Sequence, residues 1–121
     1  MKTKIVVVDD NANNLLLEED LLIVAGFEVF TAINANDALQ LIKDVKPQII
    51  VLDVQLPDMS GSELAQILRS NKETMAIPIV FVTASVLQSD IEHLLCIPDS
   101  AYISKPINTR TFSKEINQCI K

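Results

Sequence analysis

The stretch Ile49-Ile50-Val51-Leu52-Asp53 decides the fold, because an uninterrupted apolar run leads directly into an acid. A strand that is buried on both faces has such a continuous run, whereas a half-exposed strand alternates apolar with polar residues. Two similar runs, Ile5–Val8 and Ile79–Val82, lie before and after it in the chain. The pattern predicts three central strands of a parallel sheet.

Two weaker strand candidates and several helix-length segments fill the rest of the chain. The stretches Glu28–Ala32 and Ser100–Ser104 are expected at the sheet edges. The expected helices are at about 12–25, 35–45, 62–71, 86–96 and 109–120. Gly26 is typical of a residue just after a helix, while Asn34 and Asn108 suit N-caps. The order βα, repeated five times, predicts a doubly wound α/β fold with any site at the carboxyl ends of the strands.

Composition and charge narrow the class of protein. The 121 residues suit one domain, and 49% are apolar but only 4% aromatic, so Ile, Val and Leu must build the core. No apolar run approaches the roughly 20 residues that cross a bilayer, and the N-terminus lacks a secretory signal. The net charge of −6 and the scattered 10 Lys and Arg argue against direct nucleic-acid binding. Cys96 and Cys119 lack metal-type spacing, so two buried thiols in a reducing, cytoplasmic compartment are expected.

Polar residues with phosphoryl-transfer chemistry follow the ends of the strong strands. Asp9 and Asp10 follow the first strand, Asp53 the third, and Thr83 the fourth, while the fifth leads into Lys105. Crowded carboxylates repel one another unless a cation neutralises them, and Mg²⁺ prefers oxygen ligands and binds phosphate. A carboxylate beside Mg²⁺ can attack phosphorus and form an acyl phosphate. A lysine charge and a hydroxyl donor would then stabilise the equatorial oxygens.

Each of these residues also has a purely structural interpretation. Asp9 and Asp10 could cap the first helix, Thr83 could be an ordinary strand residue, and Lys105 a solvated amine. What favours function is the complete set in this order at one edge of one sheet.

Four motifs resemble the receiver domains of two-component response regulators, and the match spans essentially the whole chain, 1–121. The motifs are Val8-Asp9-Asp10-Asn11, Leu52-Asp53-Val54-Gln55-Leu56-Pro57-Asp58-Met59-Ser60-Gly61, Val82-Thr83-Ala84-Ser85 and Tyr102-Ile103-Ser104-Lys105-Pro106-Ile107.

The resemblance implies a flavodoxin-like sheet with strand order 2-1-3-4-5 and a role for each motif residue. Asp53 would be the phosphoacceptor and, with Asp9, Asp10 and the Gln55 backbone carbonyl, would hold Mg²⁺ directly or through water. Thr83 and Lys105 would contact the phosphoryl oxygens. Tyr102 would follow Thr83 as the switch aromatic, although a lone Tyr near a sheet edge can equally be packing. The Lys105–Pro106 bond would be cis.

The resemblance also implies partners. The phosphoryl donor would be a phosphohistidine on a sensor histidine kinase or a histidine phosphotransfer protein. The output would be a contact with a downstream protein effector or output domain. Such a receiver is a switch with self-phosphorylation and autodephosphorylation chemistry rather than an enzyme acting on a separate substrate.

Two features depart from the family pattern. Gln55 and Ser85 occupy positions that tune the lifetime of the acyl phosphate in this family, so that lifetime stays open. The stretch 95–101 contains no glycine, although the family commonly has one there. The exit of the fourth helix is therefore expected to differ.

Three other functions fit parts of the pattern. A phosphatase working through an aspartyl phosphate would need a second acid two residues after the nucleophile, where Gln55 stands. A flavodoxin-like nucleotide carrier would need a loop rich in Gly, Ser and Thr after the first strand, not Asp9-Asp10. A receiver that signals by contact alone, without phosphorylation, remains open.

The first helix is expected to carry a second apolar face. Placing residues at 100° intervals gives a core arc of Asn14, Leu17, Leu21, Val24 and Ala25, with Glu18 at its edge. Leu16 and Ile23 fall nearly opposite. Two structural explanations are that loops cover these residues or that the helix is rotated from this estimate. The functional explanation is that they form a docking surface for a helical partner.

Overall fold

Strands and helices alternate along the part of the chain that this computed structural model describes, residues 2–84 and 88–120. The strands are β1 (Lys4–Val8), β2 (Glu28–Ala32), β3 (Ile49–Asp53), β4 (Ile79–Thr83) and β5 (Ser100–Ser104). The helices are α1 (Ala12–Val24), α2 (Ala35–Val45), α3 (Gly61–Arg69), α4 (Gln88–Leu95) and α5 (Phe112–Cys119). None of these described helices has the length and apolar character needed to cross a bilayer. The expectation for Ser85 and the expected start of the fourth helix at 86 fall outside what is described.

The described strands form one parallel sheet in the order β2-β1-β3-β4-β5, which confirms the expected doubly wound topology. Val8 pairs with Leu52, and Asp53 pairs with Val82, so the carboxyl ends of β1, β3 and β4 lie side by side. The chain leaves the sheet in opposite directions after β1 and β3. A doubly wound sheet has its crevice at this switch point.

The strand faces divide the core into two layers. Residues of the three central strands are almost entirely buried, as their continuous apolar runs predict. One layer packs under α2, α3 and α4, and the other packs against α1 and α5, where Leu22, Phe112 and Ile116 are fully buried. Burying each such side chain stabilises the fold by about 1.5–3 kcal/mol. The sheet is thereby a rigid base for whatever its carboxyl edge carries.

The expected core face of α1 is wrong. Glu18 and Leu22 are its buried residues, whereas Leu17 is 40% and Val24 88% exposed. Apolar residues occur all round this helix, so its periodicity does not single out one face. The helix is rotated by about one residue relative to the expected orientation. Glu18, which was expected at the edge of the core face, is therefore turned into the protein.

Two smaller expectations need correction, and a third is confirmed. The two cysteines are free thiols but are not buried as expected: Cys119 is half-buried, and Cys96 is exposed because Leu94 and Ile97 take the core positions around the α4 exit. The helix α5 begins at Phe112, not at position 109, because Asn108 starts a separate turn by accepting the Arg110 N–H at 3.0 Å. Gly26, with φ +100°, confirms the expected residue after α1.

The glycine-free exit of α4 uses Asp99 in place of glycine. Asp99 has φ +56°, a left-handed conformation that Asp tolerates better than most residues do. The Arg69 side chain reaches this turn, where Nε donates to the Pro98 carbonyl at 2.8 Å and a terminal nitrogen donates to the Asp99 carbonyl at 3.3 Å. A left-handed Asp99 therefore takes the position that a glycine would suit at the entry to β5.

Candidate functional site

Three carboxylates converge at the carboxyl edge of the sheet. Asp9 and Asp10 follow β1, and Asp53 ends β3. One oxygen of each lies within 4.8 Å of the others. Asp9 and Asp53 are buried, at 1% and 7% exposure, while Asp10 is exposed. The three acids that the sequence placed together are thus one cluster, with one member open to solvent.

The buried acids are held by local backbone donors. The Asn11 N–H donates to Asp9 Oδ1 at 2.9 Å, and the Gln55 N–H donates to Asp53 Oδ1 at 3.3 Å. Asn11 in turn caps α1 by accepting the Asn14 N–H, so Asp9 and Asp10 are not the cap. The purely structural interpretation of the two acids as a helix cap is therefore wrong.

Lys105 bridges the two buried carboxylates. Its Nζ lies 3.4 Å from Asp9 Oδ2 and 3.4 Å from Asp53 Oδ2. The backbone N–H of Lys105 donates to the Thr83 carbonyl at 2.8 Å, and this bond fixes the β5–α5 turn against the end of β4. The Lys105–Pro106 bond is cis, as expected. Lys105 is therefore a partly buried amine directed at the acids and not a solvated surface residue.

Burial and charge shift the pKa values in this cluster. Burial and the charge of Asp9 raise the pKa of Asp53, although the Gln55 N–H and Lys105 counteract them. Burial lowers the pKa of Lys105, but the attraction of Asp53 and Asp9 outweighs it, so the net pKa is raised. The raised pKa of Lys105 favours its charged form, whereas the raised pKa of Asp53 reflects a carboxylate whose negative charge is incompletely compensated when it is ionised.

Asp10, Asp53 and Lys105 line an open crevice of about 670 Å³. Its walls come from the ends of all three central strands and the loops after them. Its lining includes Asp10, Asp53, Gln55, Thr83 and Lys105. Thr83 is buried, at 4% exposure, at the end of β4. Tyr102 lies outside the crevice on the edge strand β5, beside Phe81 of β4, and is 37% exposed.

The donor set fits a hard divalent cation. With three ionised carboxylates and one ammonium, the cluster carries a net charge of −2, which one divalent ion would neutralise. All available ligand atoms are oxygens, the type that Mg²⁺ prefers. The residues that would hold such an ion are Asp9, Asp10 and Asp53.

The loop after Asp53 depends on a glycine. A Cβ on Gly61 would collide with the Asp53 carbonyl oxygen and lie 2.9 Å from the Val54 Cα. The Gly61 N–H donates to the Val54 carbonyl at 2.7 Å, which closes the loop. Only glycine permits this close approach, and the loop in turn holds Gln55 beside the crevice.

Asp58 has a role that the sequence analysis missed. Instead of only shaping its own turn, it reaches across to α2 and accepts the N–H groups of Ala35 and Asn36, both at 2.9 Å. These hydrogen bonds lower the pKa of Asp58, and the bond from Ala35 has the larger effect. The two partners lie 22 and 23 residues away in sequence, so no local pattern could have indicated them.

Comparison with known proteins identifies the class. The chain belongs to the family of response regulator receiver domains, whose model matches residues 5–117. It is therefore a receiver domain of two-component signalling.

Individual relatives agree with this assignment. The polar-differentiation response regulator DivK of Brucella anthropi is 35% identical over 116 residues, which cover 96% of this chain and 94% of the relative. The solved structure of a putative response regulator from Chloroflexus aurantiacus matches with a TM-score of 0.92 and 26% identity over 98% of each chain. The chemotaxis response regulator CheY4 of Vibrio cholerae has a TM-score of 0.93, covering 99% of this chain and 100% of that chain. Its 24% identity supports the fold alone.

Proposed function

We propose that this chain, over residues 1–121, is a phosphorylation switch in which Asp53 accepts a phosphoryl group. The observation that carries the proposal is the bridge from Lys105 Nζ to Asp53 Oδ2, 3.4 Å long, inside a cluster of three acids. An amine in this position neutralises incoming phosphoryl oxygens, and the buried carboxylate beside it is the nucleophile.

The reaction uses groups already assigned to the crevice. An Asp53 oxygen forms a bond to phosphorus while the bond from phosphorus to the donor's imidazole nitrogen breaks, and that nitrogen keeps the electron pair. Lys105 then leaves its Asp53 contact for the phosphoryl oxygens, and the Thr83 hydroxyl donates to another of them. Asp9, Asp10, Asp53 and the Gln55 carbonyl would hold Mg²⁺, which would supply positive charge that offsets the repulsion between carboxylate and phosphate.

The partners follow from the same chemistry. The donor is a phosphohistidine of a sensor histidine kinase or histidine phosphotransfer protein, and the readout is a protein effector or output domain. We place the protein in the cytoplasm, without direct nucleic-acid contact. Movement of Thr83 toward the phosphoryl group would leave room for Tyr102 to turn inward, which changes the exposed face of β5. The exposed Leu16 and Ile23 of α1 would form part of the donor's docking surface.

Intact mass spectrometry after incubation with acetyl phosphate and Mg²⁺ tests the proposal. A gain of one phosphoryl group that requires Mg²⁺ is the expected result. Steady phosphate release without a stable adduct would instead indicate a phosphatase. No mass change and no release would indicate a receiver that acts by contact alone.

A further inference from the structure

The feature that phosphoryl transfer does not explain is Glu18, a buried acid on the inner side of α1. Glu18 is 2% exposed, and its Oε2 accepts no hydrogen bond from any residue within 2–84 or 88–120. A buried carboxylate without a partner is costly, because protein groups have not replaced its lost water contacts.

Glu18 lines a second cavity, of about 320 Å³, beside the phosphoryl-transfer crevice. Leu17, Ala84, Pro106 and Ile107 form its apolar walls, Asn14 adds a polar side chain, and Lys105 lines both this cavity and the crevice. Since the Lys105 ammonium is already within 3.4 Å of both Asp9 and Asp53, it is engaged on the crevice side. The cavity therefore combines largely apolar walls and one amide with an acid whose Oε2 has no hydrogen-bond partner among the described residues.

Electrostatics favour a cation in this cavity. Burial, followed by the charge of Asp9, raises the pKa of Glu18 to about 8, and the opposing attraction of Lys105 is too weak to prevent it. Asp53 adds a smaller repulsion. An added positive charge at Glu18 would relieve these costs, and the protein's net charge of −6 attracts cations in general.

We propose that this cavity is a specificity pocket that receives a lysine or arginine side chain of the docked phosphodonor protein, with Glu18 as its acceptor. The apolar walls fit the methylene stem, and the acid pairs with the charged end. Leu17, a wall residue that is 40% exposed, continues onto the outer surface of α1, where the proposed docking residues Leu16 and Ile23 also lie. The inference rests on the proposed function for the identity of the partner, but not for the binding chemistry.

A small probe tests the pocket without the partner. Butylguanidinium chloride has the stem and charge of an arginine side chain, and butylurea is its neutral counterpart. We would titrate each into isotopically labelled protein, with ionic strength matched by sodium chloride, at about pH 9, where Glu18 is ionised. Butylguanidinium should shift the amide signals of Leu17, Ala84 and Ile107, whereas butylurea should bind about tenfold more weakly.

Two variants assign the effect to Glu18. Glu18→Gln should weaken butylguanidinium binding about tenfold, while Glu19→Gln, the same change at a neighbouring position that does not line the cavity, should leave it unchanged. Unchanged butylguanidinium binding to folded Glu18→Gln would overturn the proposal. Equal binding of the two probes to the wild type would also overturn it, and this comparison holds even if Glu18→Gln does not fold. No binding of butylguanidinium to the wild type would also overturn it. None of these outcomes depends on phosphorylation, which the acetyl phosphate experiment tests separately.

Discussion

At the scale of single residues, two of the buried acids, Asp53 and Glu18, are in opposite situations. Asp53 has a backbone donor and a lysine within 3.4 Å, so its charge is partly compensated and available for chemistry. Glu18 has neither, and burial raises its pKa to about 8. The contrast distinguishes the proposed phosphoacceptor from an acid whose ionised form would lower the stability of the fold.

Glu18 should make the stability of the metal-free protein depend on pH. The unfolded chain releases the Glu18 proton near the ordinary value of 4.5, whereas the native protein keeps it until about pH 8. The native state therefore binds more protons in this window, and the free energy of unfolding falls as pH rises, by at most about 1.4 kcal/mol per unit. Above that window the loss levels off.

Urea unfolding between pH 4.5 and 8 measures this effect. Glu18→Gln should flatten the decline because glutamine does not titrate, while Glu19→Gln should follow the wild type. Parallel curves for all three proteins would mean that Glu18 is not protonated in the native state.

At the scale of secondary-structure elements, the loop after β3 connects the crevice to α2. Ser60 caps α3 by accepting the Glu63 N–H at 3.2 Å, while Asp58 of the same loop caps α2 from outside. One short segment thereby positions Gln55 at the crevice and secures the first turns of two helices. The carboxylate of Asp58 also complements the positive end of the α2 dipole.

Removing this external cap should destabilise the fold. Asp58→Ala leaves the Ala35 and Asn36 N–H groups without their acceptor, so its melting temperature should drop, whereas Asp58→Asn retains one acceptor and should drop less. The folded pKa of Asp58 lies below the ordinary 3.8, so its ionised form stabilises the protein above that pH. The gap between wild type and Asp58→Ala should close as pH falls below about 3.8 in urea unfolding. A gap that persists in acid would contradict a charge-dependent cap.

The sequence predicted the central strands more securely than it predicted α1 or Asp58, for physical reasons. The run 49–52 has one interpretation, since a strand buried on both faces needs continuous apolar residues. On α1, apolar residues surround the helix, so the burial of Glu18 and the exposure of Leu17 depend on tertiary contacts. The Asp58 cap likewise depends on two loops meeting in space. The four motifs placed the acids, Thr83 and Lys105 correctly at one edge because strand ends, unlike helix faces, are fixed by topology.

At the scale of the whole molecule, the acid cluster should link metal binding to stability. A cation that binds only the folded protein stabilises it by mass action, by about 2.7 kcal/mol at 100 times its dissociation constant. Mg²⁺ should therefore raise the melting temperature by several degrees, and Asp10→Ala should lose most of that gain. Asp20→Ala, which removes an exposed acid of α1 outside the cluster, is the matched control. An identical Mg²⁺ shift in Asp10→Ala would refute the proposed metal site.

The outer face of α1 should matter only for transfer between proteins. Leu16 and Ile23 are 57% and 50% exposed, so changing both to serine removes apolar surface without opening the core. The double variant should accept phosphoryl from acetyl phosphate normally but at least about threefold more slowly from a phosphohistidine protein that phosphorylates the wild type. Ile67→Ser with Met75→Ser, which are 43% and 51% exposed elsewhere, controls for lost apolar surface. Equal transfer rates in both double variants would exclude this face as the docking surface.

The central claim is that Asp53 is the phosphoacceptor, and labelling of Asp53→Asn tests it most directly. Asparagine keeps the size of the side chain but removes the anionic nucleophile, so the folded variant should gain no phosphoryl mass from acetyl phosphate and Mg²⁺. Asp44→Asn, the same change on the exposed side of α2, should be labelled like the wild type. Absence of labelling in Asp53→Asn alone is the predicted result. Undiminished labelling of a folded Asp53→Asn would place the acceptor elsewhere and contradict the account.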